Sequence, residues 1–548
     1  MRISSIEMAF FRGFPAPFPF EIADRDGKPN NAVIYGDNGS GKSSLFRALQ
    51  LLFEVGRDDA DLLSQQNLFA GKNPALAAKL KGKQGGADHE IPLSWQNGDP
   101  RPTSPYLQSS ARRSAFIDYR TLLRLSDETR DMEENFFYVT VTSLLRNAPS
   151  SVAGETIGDV WGRLQDARGR VADAERRTGQ SALSGVNDPV RPFGEVESAT
   201  NDLSDSLRAI LLPQQEADGT SKPSRFITLA NKYLKRFENG PLNIEFEFIG
   251  LSYARTENSL EGASITPKVS FCEKTLEREI MTPRGQPHGY PDHHSILNEA
   301  RLSALALSLF FASVKLADQE AYIVGAGEPD QPLRLLVLDD LLLGLDYSNR
   351  LPVLELLLEE FPEHQIFLLT HDRVWFDIVR LHVEGLAPAW DASEFLNLRK
   401  KGPGKSDFPK RKDGSSNLIA RANELLNLHG EPFAAGNYAR RAIEGELKRL
   451  CELTTTSVVY KDEGHSRDTD DFLKPLSSKR WRNNGTWLLL PQWLQREYRA
   501  LRRTVLNPSS HDHPNTITPH EVQRAIAVAE KLAKIRVQQK KRKKRGLS

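Results

Sequence analysis

The segment Gly36-Asp37-Asn38-Gly39-Ser40-Gly41-Lys42-Ser43-Ser44 restricts what this chain can fold into more than any other stretch. A β-prone run, Asn31-Ala32-Val33-Ile34-Tyr35, enters it, and leucines at 45, 49 and 52 follow at helical spacing. Strand, glycine-rich turn and helix with the spacing Gly-x4-Gly-Lys-Ser make a phosphate-binding loop. Gly36, Gly39 and Gly41 let backbone N–H groups turn inward. Lys42 sets a cation against the β- and γ-phosphates, the Ser43 hydroxyl ligates Mg2+, and the following helix adds its positive N-terminal dipole. Asn38, Ser40 and Ser44 complete the expected cradle. ATP and Mg2+ are the cofactors this pattern calls for.

A second run fits the same chemistry. Leu335-Leu336-Val337-Leu338-Asp339-Asp340 is four apolar β-formers closed by two acids. A buried parallel strand delivers such acids to the carboxyl edge of its sheet, where ligands bind. Asp339 is expected in the Mg2+ shell, and Asp340 is expected to orient or deprotonate the attacking water. Leu368-Leu369-Thr370-His371-Asp372 ends another β-run, and His371 there can reach a γ-phosphate.

Between these motifs the pattern is mixed. Residues 115–117 and 136–141 read as strands. Residues 151–235 read as a short helical hairpin, carried by Ile157, Val160, Leu164 and Val171 and then by Val196, Leu203, Leu207 and Ile210. Strands are expected at 242–249 and 265–272, and a long helix at about 296–317. The reading is an α/β head with a mixed or parallel sheet: an N-terminal lobe (1–150), the helical insertion (151–235) and a C-terminal lobe (236–398). A Gly/Pro-containing linker (399–416), an all-α domain (417–540) and a basic tail (541–548) follow. The length, 548 residues, accommodates several domains. Hydrophobic residues at 39% and charged residues at 26% suit a soluble globular chain. No membrane-spanning run is read, and two cysteines, Cys272 and Cys451, make no disulfide framework, so a cytoplasmic setting is expected.

Taken together, these motifs resemble the SMC-like branch of ABC ATPases, which includes RecF-like and overcoming-lysogenisation-type enzymes. Phe11-Arg12-Gly13 is similar to the opening of that group, which implies that Arg12 contacts nucleotide. Asp339-Asp340 resembles its Walker B pair, Leu345-Asp346 its D-loop, and His371 its switch histidine. Leu297 to Ala306 resembles the signature segment, with Asn298, Glu299 and Ala300 where a serine and two glycines are commoner. The resemblance implies that Asn298, Glu299 and Asp346 belong to the nucleotide site. It also implies a homodimer in which one subunit's signature helix completes the other's phosphate site. The Q-loop position falls at Phe116–Arg120, without its usual glutamine; Gln65 and Gln66 are alternatives.

In the C-terminal region, Arg440 and Glu444 stand at i,i+4 on a predicted helix and can pair. His511 follows the polar turn Leu506-Asn507-Pro508-Ser509-Ser510. A plain dimerisation module is one reading. The set also resembles HEPN-type ribonuclease domains and the C-terminal half of bacterial anticodon nucleases, which implies metal-free RNA cleavage by Arg440, Glu444 and His511. The basic blocks at Lys540–Arg545 and Lys400–Lys412 are either solvated or phosphate contacts.

These resemblances imply an ATPase of a prokaryotic defence system whose ATP-driven dimerisation gates nuclease action on RNA or tRNA. One alternative is an ATPase that assembles with a separate HNH-type nuclease, as in Septu-type or retron-associated systems. Another is a RecF-like DNA-repair ATPase. Nucleic acid is an expected partner, and a higher oligomer stays open.

Overall fold

The computed structural model describes residues 1–544 apart from 25–26, 55–61, 127–131, 179–192, 216–220, 238–241, 282–286, 292, 319–326, 342–346, 385, 400–406, 413–416, 428–429, 459–468, 481–487 and 511–516. It divides into two compact units, Met1–Arg411 and Lys412–Ser548.

The first unit is built on a six-stranded sheet. Its spatial order is Asp407–Lys412, Trp390–Arg399, Asn31–Gly36, Gln365–Thr370, Leu335–Asp339 and Ser114–Asp118. The last five strands pair parallel with one another. Their side chains alternate between two cores, as a sheet covered on both faces requires. Val33, Leu336, Leu338, Ile366 and Leu368 join the helical side. Ala32, Ile34, Leu335, Val337, Phe367 and Leu369 face the phosphate-loop helix Lys42–Phe53 and a second, antiparallel sheet. That second sheet runs Phe18–Glu21, Arg2–Ala9, Ala75–Gln84, Ala87–Gln96.

One buried amide ties the two sheets together. Gln365 Oε1 accepts from Ile3 N at 2.6 Å, and its Nε2 donates to Ile3 O and Asn30 O at 2.8 Å each. Gln365 itself is fully buried.

Three expectations change. Residues 136–141, read as a strand from their aromatic and β-branched content, lie in the helix Met132–Val139 and the π-helical turn Thr140–Leu144. Phe136, Phe137, Val141, Leu144 and Leu145 are all buried, so packing on a helical face overrides β-propensity. Residues 151–235 hold a third helix beyond the two expected for a hairpin. Ile157–Thr178 and Phe193–Leu211 pack on each other, while Arg225–Phe237 packs on the helix Glu299–Ala317. All four share the core that includes the central sheet, so this stretch makes no separate core of its own. Finally, the stretch read as a linker carries the sheet's edge strand, Asp407–Lys412. Arg411 there pairs with Asp391 at 2.8 Å and lies over the Phe20 ring at 4.8 Å, so this member of the basic block is spent on the fold.

The helix Glu299–Ala317 has the length and composition of a membrane span, but 83% of its apolar window is buried inside the protein. It is the core helix of the first unit.

The second unit is helical among the described residues: Asn417–Asn427, Pro432–Leu453, Thr469–Ser477, Gln492–Leu501 and Pro519–Lys544. The helix Thr469–Ser477 had no sequence expectation. The unit has its own core, including Ala439, Ile443, Leu447, Leu450, Leu501, Val522, Ile526 and Leu532. Glu446, only 4% exposed, accepts from both Arg449 (2.7 Å) and Arg536 (2.6 Å), which pins the second helix to the last.

Replacing Gln365 by leucine leaves Ile3 N, Ile3 O and Asn30 O buried without their partner. Each such group costs about 1–3 kcal/mol. Gln365→Leu should therefore destabilise the first unit by roughly 2–4 kcal/mol, read as a lowered urea midpoint. An unchanged midpoint would show that the amide is dispensable to the join.

Candidate functional site

The parallel register sets the site. Asp339 pairs with Leu369 on one side and Asp118 on the other, and Thr370 pairs with Tyr35. The carboxyl ends of the strands carrying Gly36, Thr370, Asp339 and Asp118 therefore share one edge. A cavity of about 480 Å³ opens there, lined among others by Arg12, Ser43, Phe116, Asp118, Arg120, Thr121, Asp339 and Asp340.

The phosphate loop has the backbone that its glycines permit. Gly41 has φ +99°, and a Cβ there would come within 2.7 Å of the Phe14 ring. At Gly36 a Cβ would lie 2.2 Å from Ser40 Oγ and 2.9 Å from Phe395 O. No other residue fits either position. Lys42 is 4% exposed; its Nζ donates to Gly36 O at 2.6 Å and stands 3.9 Å from Asp340 Oδ2. Asn38 and Gly39 are exposed at the loop tip, as a phosphate cradle needs.

Two serines differ from expectation. Ser40 is 1% exposed, and its hydroxyl is turned behind the loop against Gly36, with no hydrogen-bond partner. Ser44 is buried, and its hydroxyl accepts from Gly13 N at 3.2 Å. Their side chains shape the loop and hold the Arg12–Gly13 turn; they do not line the cradle. Ser43, by contrast, is exposed to the cavity and its hydroxyl hydrogen-bonds Asp339.

Asp339 is 6% exposed. Burial, then the charge of Asp340, raises its pKa from 3.8 to about 7, against the opposing pull of Ser43 and Lys42. Its Oδ1 is buried with no hydrogen-bond partner. A carboxylate oxygen left bare beside a serine hydroxyl is the donor set a small divalent cation takes, with phosphate oxygens and water filling the remaining positions. Among the described residues no three His, Cys, Asp or Glu side chains converge to hold a metal by themselves. Ser43 and Asp339 thus fit Mg2+ as a nucleotide-linked ion.

Asp340 and His371 act as one unit. Asp340 Oδ1 accepts from His371 N and meets His371 Nδ1, both at 2.8 Å, while Asp340 N donates to Leu369 O at 3.0 Å. Asp340 has φ +53°, a left-handed backbone unusual for a residue with a side chain. The strand Gln365–Thr370 therefore holds both groups, and one Asp340 oxygen remains toward Lys42.

Arg12 also has a positive φ, +43°. Its Nη1 donates to Gln65 Oε1 at 2.9 Å, and its carbonyl accepts from Asn67 Nδ2 at 2.5 Å. Gln65 therefore positions Arg12. Desolvation and the neighbouring charge of Arg120 lower the Arg12 pKa. Asp118 and Arg120 fall in the segment expected as the Q-loop, where neither was given a role, and Thr121 was not singled out by sequence. The signal for them was a third β-run ending in an acid, Ser114–Asp118, in register with Asp339.

Asn298 caps the helix Glu299–Ala317, its Oδ1 accepting from Arg301 N at 3.0 Å. Its amide NH2 is not used in that cap. Glu299 is exposed in the first turn. Asp346 and His511 lie outside the described residues. In the second unit, Arg440 Nε pairs with Glu444 Oε1 at 3.0 Å, and Arg440 Nη1 is buried with no hydrogen-bond partner. The turn before His511 seats on the same helix. Asn437 Nδ2 donates to Ser509 O at 3.3 Å, and a Cβ at Gly436 would meet Ser509 Oγ at 2.3 Å.

Residues 32–92, which contain the phosphate loop, match the family described as "AAA domain, putative AbiEii toxin, Type IV TA system". No curated protein matches. Among solved structures, the chain is similar to an Smc head bound to the C-winged helix domain of ScpA, with 10% identity over 76% of this chain and 99% of that one and a TM-score of 0.38. It is similar to the Smc head with an extended coiled coil, bound to the C-terminal domain of ScpA, from Pyrococcus furiosus, with 11% identity over 78% and 98% and a TM-score of 0.36. It is also similar to the recombination mediator RecF with ATP, with 11% identity over 75% and 98% and a TM-score of 0.42.

The Asp339 shift has a consequence for stability. A raised folded-state pKa means that the neutral carboxyl suits the folded chain and the ionised one costs stability. That cost grows as pH rises from about 4 to about 7 and is constant above. Without metal or nucleotide, Asp339→Asn should raise the thermal midpoint at pH above about 7, with the gain fading toward pH 4. A gain equal at all pH values would contradict a buried, reluctantly ionised Asp339.

Proposed function

We propose that this chain is a Mg2+-dependent ATP hydrolase of the SMC/RecF-like ABC type, which works as a dimer closing around two nucleotides. One observation carries this reading. Lys42, Ser43, Asp339 and the Asp340–His371 pair come from three separate strand ends and gather at one sheet edge beside a nucleotide-sized cavity.

Each group has a role that its surroundings support. Lys42, buried and drawn toward the loop carbonyls, supplies the cation for β- and γ-phosphates. Ser43 and Asp339 would hold Mg2+, which when bound would offset phosphate charge. Asp340, fixed by His371, directs its free oxygen at the attacking water, and His371 holds that carboxylate in place. Asn298 keeps an uncommitted amide to offer a phosphate of the facing subunit.

Lys42→Ala should abolish nucleotide binding in calorimetry. Asp340→Ala should keep binding but slow turnover by about 10²-fold or more, the range for loss of a positioned base. Full turnover in Asp340→Ala would sink the assignment of the water-directing acid.

For the second unit, the Arg440–Glu444 pair and the Ser509 turn seated on the same helix support RNA cleavage, and the resemblance to anticodon nucleases implies that the ATPase gates it. In this reading Arg440 stabilises the developing phosphorane charge, and His511 moves the proton at the 2′-oxygen. The match of residues 32–92 to a family described as a toxin supports a defence role. Purified chain should cleave RNA with ATP present, and His511→Ala and Arg440→Ala should each reduce cleavage by about 10²-fold or more. Cleavage that appears only with an added HNH nuclease would favour the partner reading instead.

A further inference from the structure

The helix Pro432–Leu453 of the second unit turns Ala435, Ala439, Ala442, Ile443, Leu447 and Leu450 into the core. Its outer side carries a different set of groups. Phe433, Asn437, Arg440 and Glu444 follow at spacings of four, three and four, so they form one strip along the helix. Arg441 and Lys448 lie beside that strip. Phe433 is 45% exposed, and Arg441 and Lys448 are exposed as well. Among the described residues neither of these two cations makes an ion pair; Arg441 lies over the Tyr438 ring at 5.6 Å.

Two properties of this face point to one kind of ligand. Arg440, Arg441 and Lys448 stand against a single carboxylate, Glu444, so the face is positive and suits a chain of phosphates. At one end Phe433 holds out a ring that the core leaves nearly half uncovered. Cations beside an exposed ring are what a single nucleic-acid strand uses: contacts for its backbone and a flat surface for a base. A duplex could use the cations but not the ring, because its bases are already stacked and paired. The ring also stands close to the site. Phe433 and Arg440 are about 10 Å apart along the helix axis. The Ser509 turn is seated between them, through Asn437 Nδ2 to Ser509 O at 3.3 Å and the close approach to Gly436.

Resting on the RNA-cleavage reading above, we propose that Phe433 is a stacking platform for an unpaired base of single-stranded RNA. That base belongs to a nucleotide near the phosphate that Arg440 receives, and Arg441 and Lys448 hold other phosphates of the same strand. Phe433 thereby gives the site its preference for unpaired over paired substrate. It takes no part in bond breaking; it holds the strand so that the scissile phosphate stops at Arg440.

Binding to the full chain tests this. His511→Ala serves as the parent, so that the RNA stays whole, and a short labelled single strand of RNA is followed by fluorescence anisotropy. Adding Phe433→Ala should weaken binding about tenfold or more, while Phe433→Tyr, which keeps a ring, should bind like the parent. Arg441→Ala and Lys448→Ala should each weaken binding and flatten its salt dependence. A strand of the same length without bases should lose about tenfold on the parent and little further on Phe433→Ala. A fully paired duplex should bind more weakly than the single strand and be indifferent to Phe433→Ala. The thermal midpoint, expected to be unchanged at so exposed a position, separates lost binding from lost folding. If the parent binds no RNA and the unsubstituted chain cleaves none, the RNA-cleavage reading fails, and the platform falls with it. If RNA is bound or cleaved but Phe433→Ala matches the parent, or Phe433→Tyr loses as much as Phe433→Ala, the platform is wrong and the cleavage reading stands. A face that serves a protein partner instead would give that last pattern, with RNA affinity indifferent to Phe433.

Discussion

Lys42 and Asp339 are both buried at the carboxyl edge of one sheet, and burying charge is costly for each of them. A buried ammonium is held by loop carbonyls, at 2.6 Å in the case of Gly36 O. A buried carboxyl has only Ser43 and Lys42 to favour its charge, and its pKa is still raised to about 7. Burying charge with such incomplete compensation is expensive. The rest of the first unit must hold these groups against that cost: Asp339 ends a fully buried strand, and Lys42 opens the helix that follows the phosphate loop. In the proposed function, a triphosphate and its ion would supply the opposite charges that these groups lack.

The holding is done by alternation. Each central strand sends successive side chains into opposite cores, so no strand can slip by one residue without exchanging its two faces. That locks Asp339 level with Asp118 and one residue before the level of Thr370. Gln365 extends the same constraint to the antiparallel sheet, whose strand Arg2–Ala9 leads into Arg12. Thus the N-terminal residues reach the cavity through a turn fixed at both ends, by Ser44 at Gly13 and by Asn67 at Arg12.

What the sequence revealed follows from the same physics. Four-residue apolar runs that end in acid or histidine are readable because a buried parallel strand needs them, and the α/β class with its phosphate loop was legible for that reason. Phe136–Val141 misled because aromatic and β-branched residues suit a strand in isolation, while their helical burial depends on partners such as Trp161, 6.0 Å from Phe137, which lie elsewhere in the chain. Asp407–Lys412 misled in the other direction: a basic, proline-containing run looks like linker until Asp391 and Phe20 are known to receive Arg411. Ser40 and Ser44 belong to a motif, and a motif gives positions but not the direction in which a hydroxyl points. Arg120 closes the segment expected as the Q-loop, but with the usual glutamine missing nothing in that segment marked the arginine out.

Asp340 shows how local strain is turned to use. A left-handed backbone at a residue with a side chain costs about 1 kcal/mol or more and persists only when its surroundings over-determine it. Here three contacts do so: Asp340 N to Leu369 O, and Asp340 Oδ1 to both His371 N and His371 Nδ1. An extended backbone at this point would continue the strand and aim the carboxylate away from the cavity. The positive φ ends the strand abruptly, directly after Asp339, so two successive acids can serve one cavity although neighbouring side chains of a strand point to opposite faces. One acid then stays buried beside Ser43, and the other is carried round to Lys42 and His371. In the proposed function, the separation of metal-holding and water-directing roles between adjacent residues would depend on that single turn of the backbone.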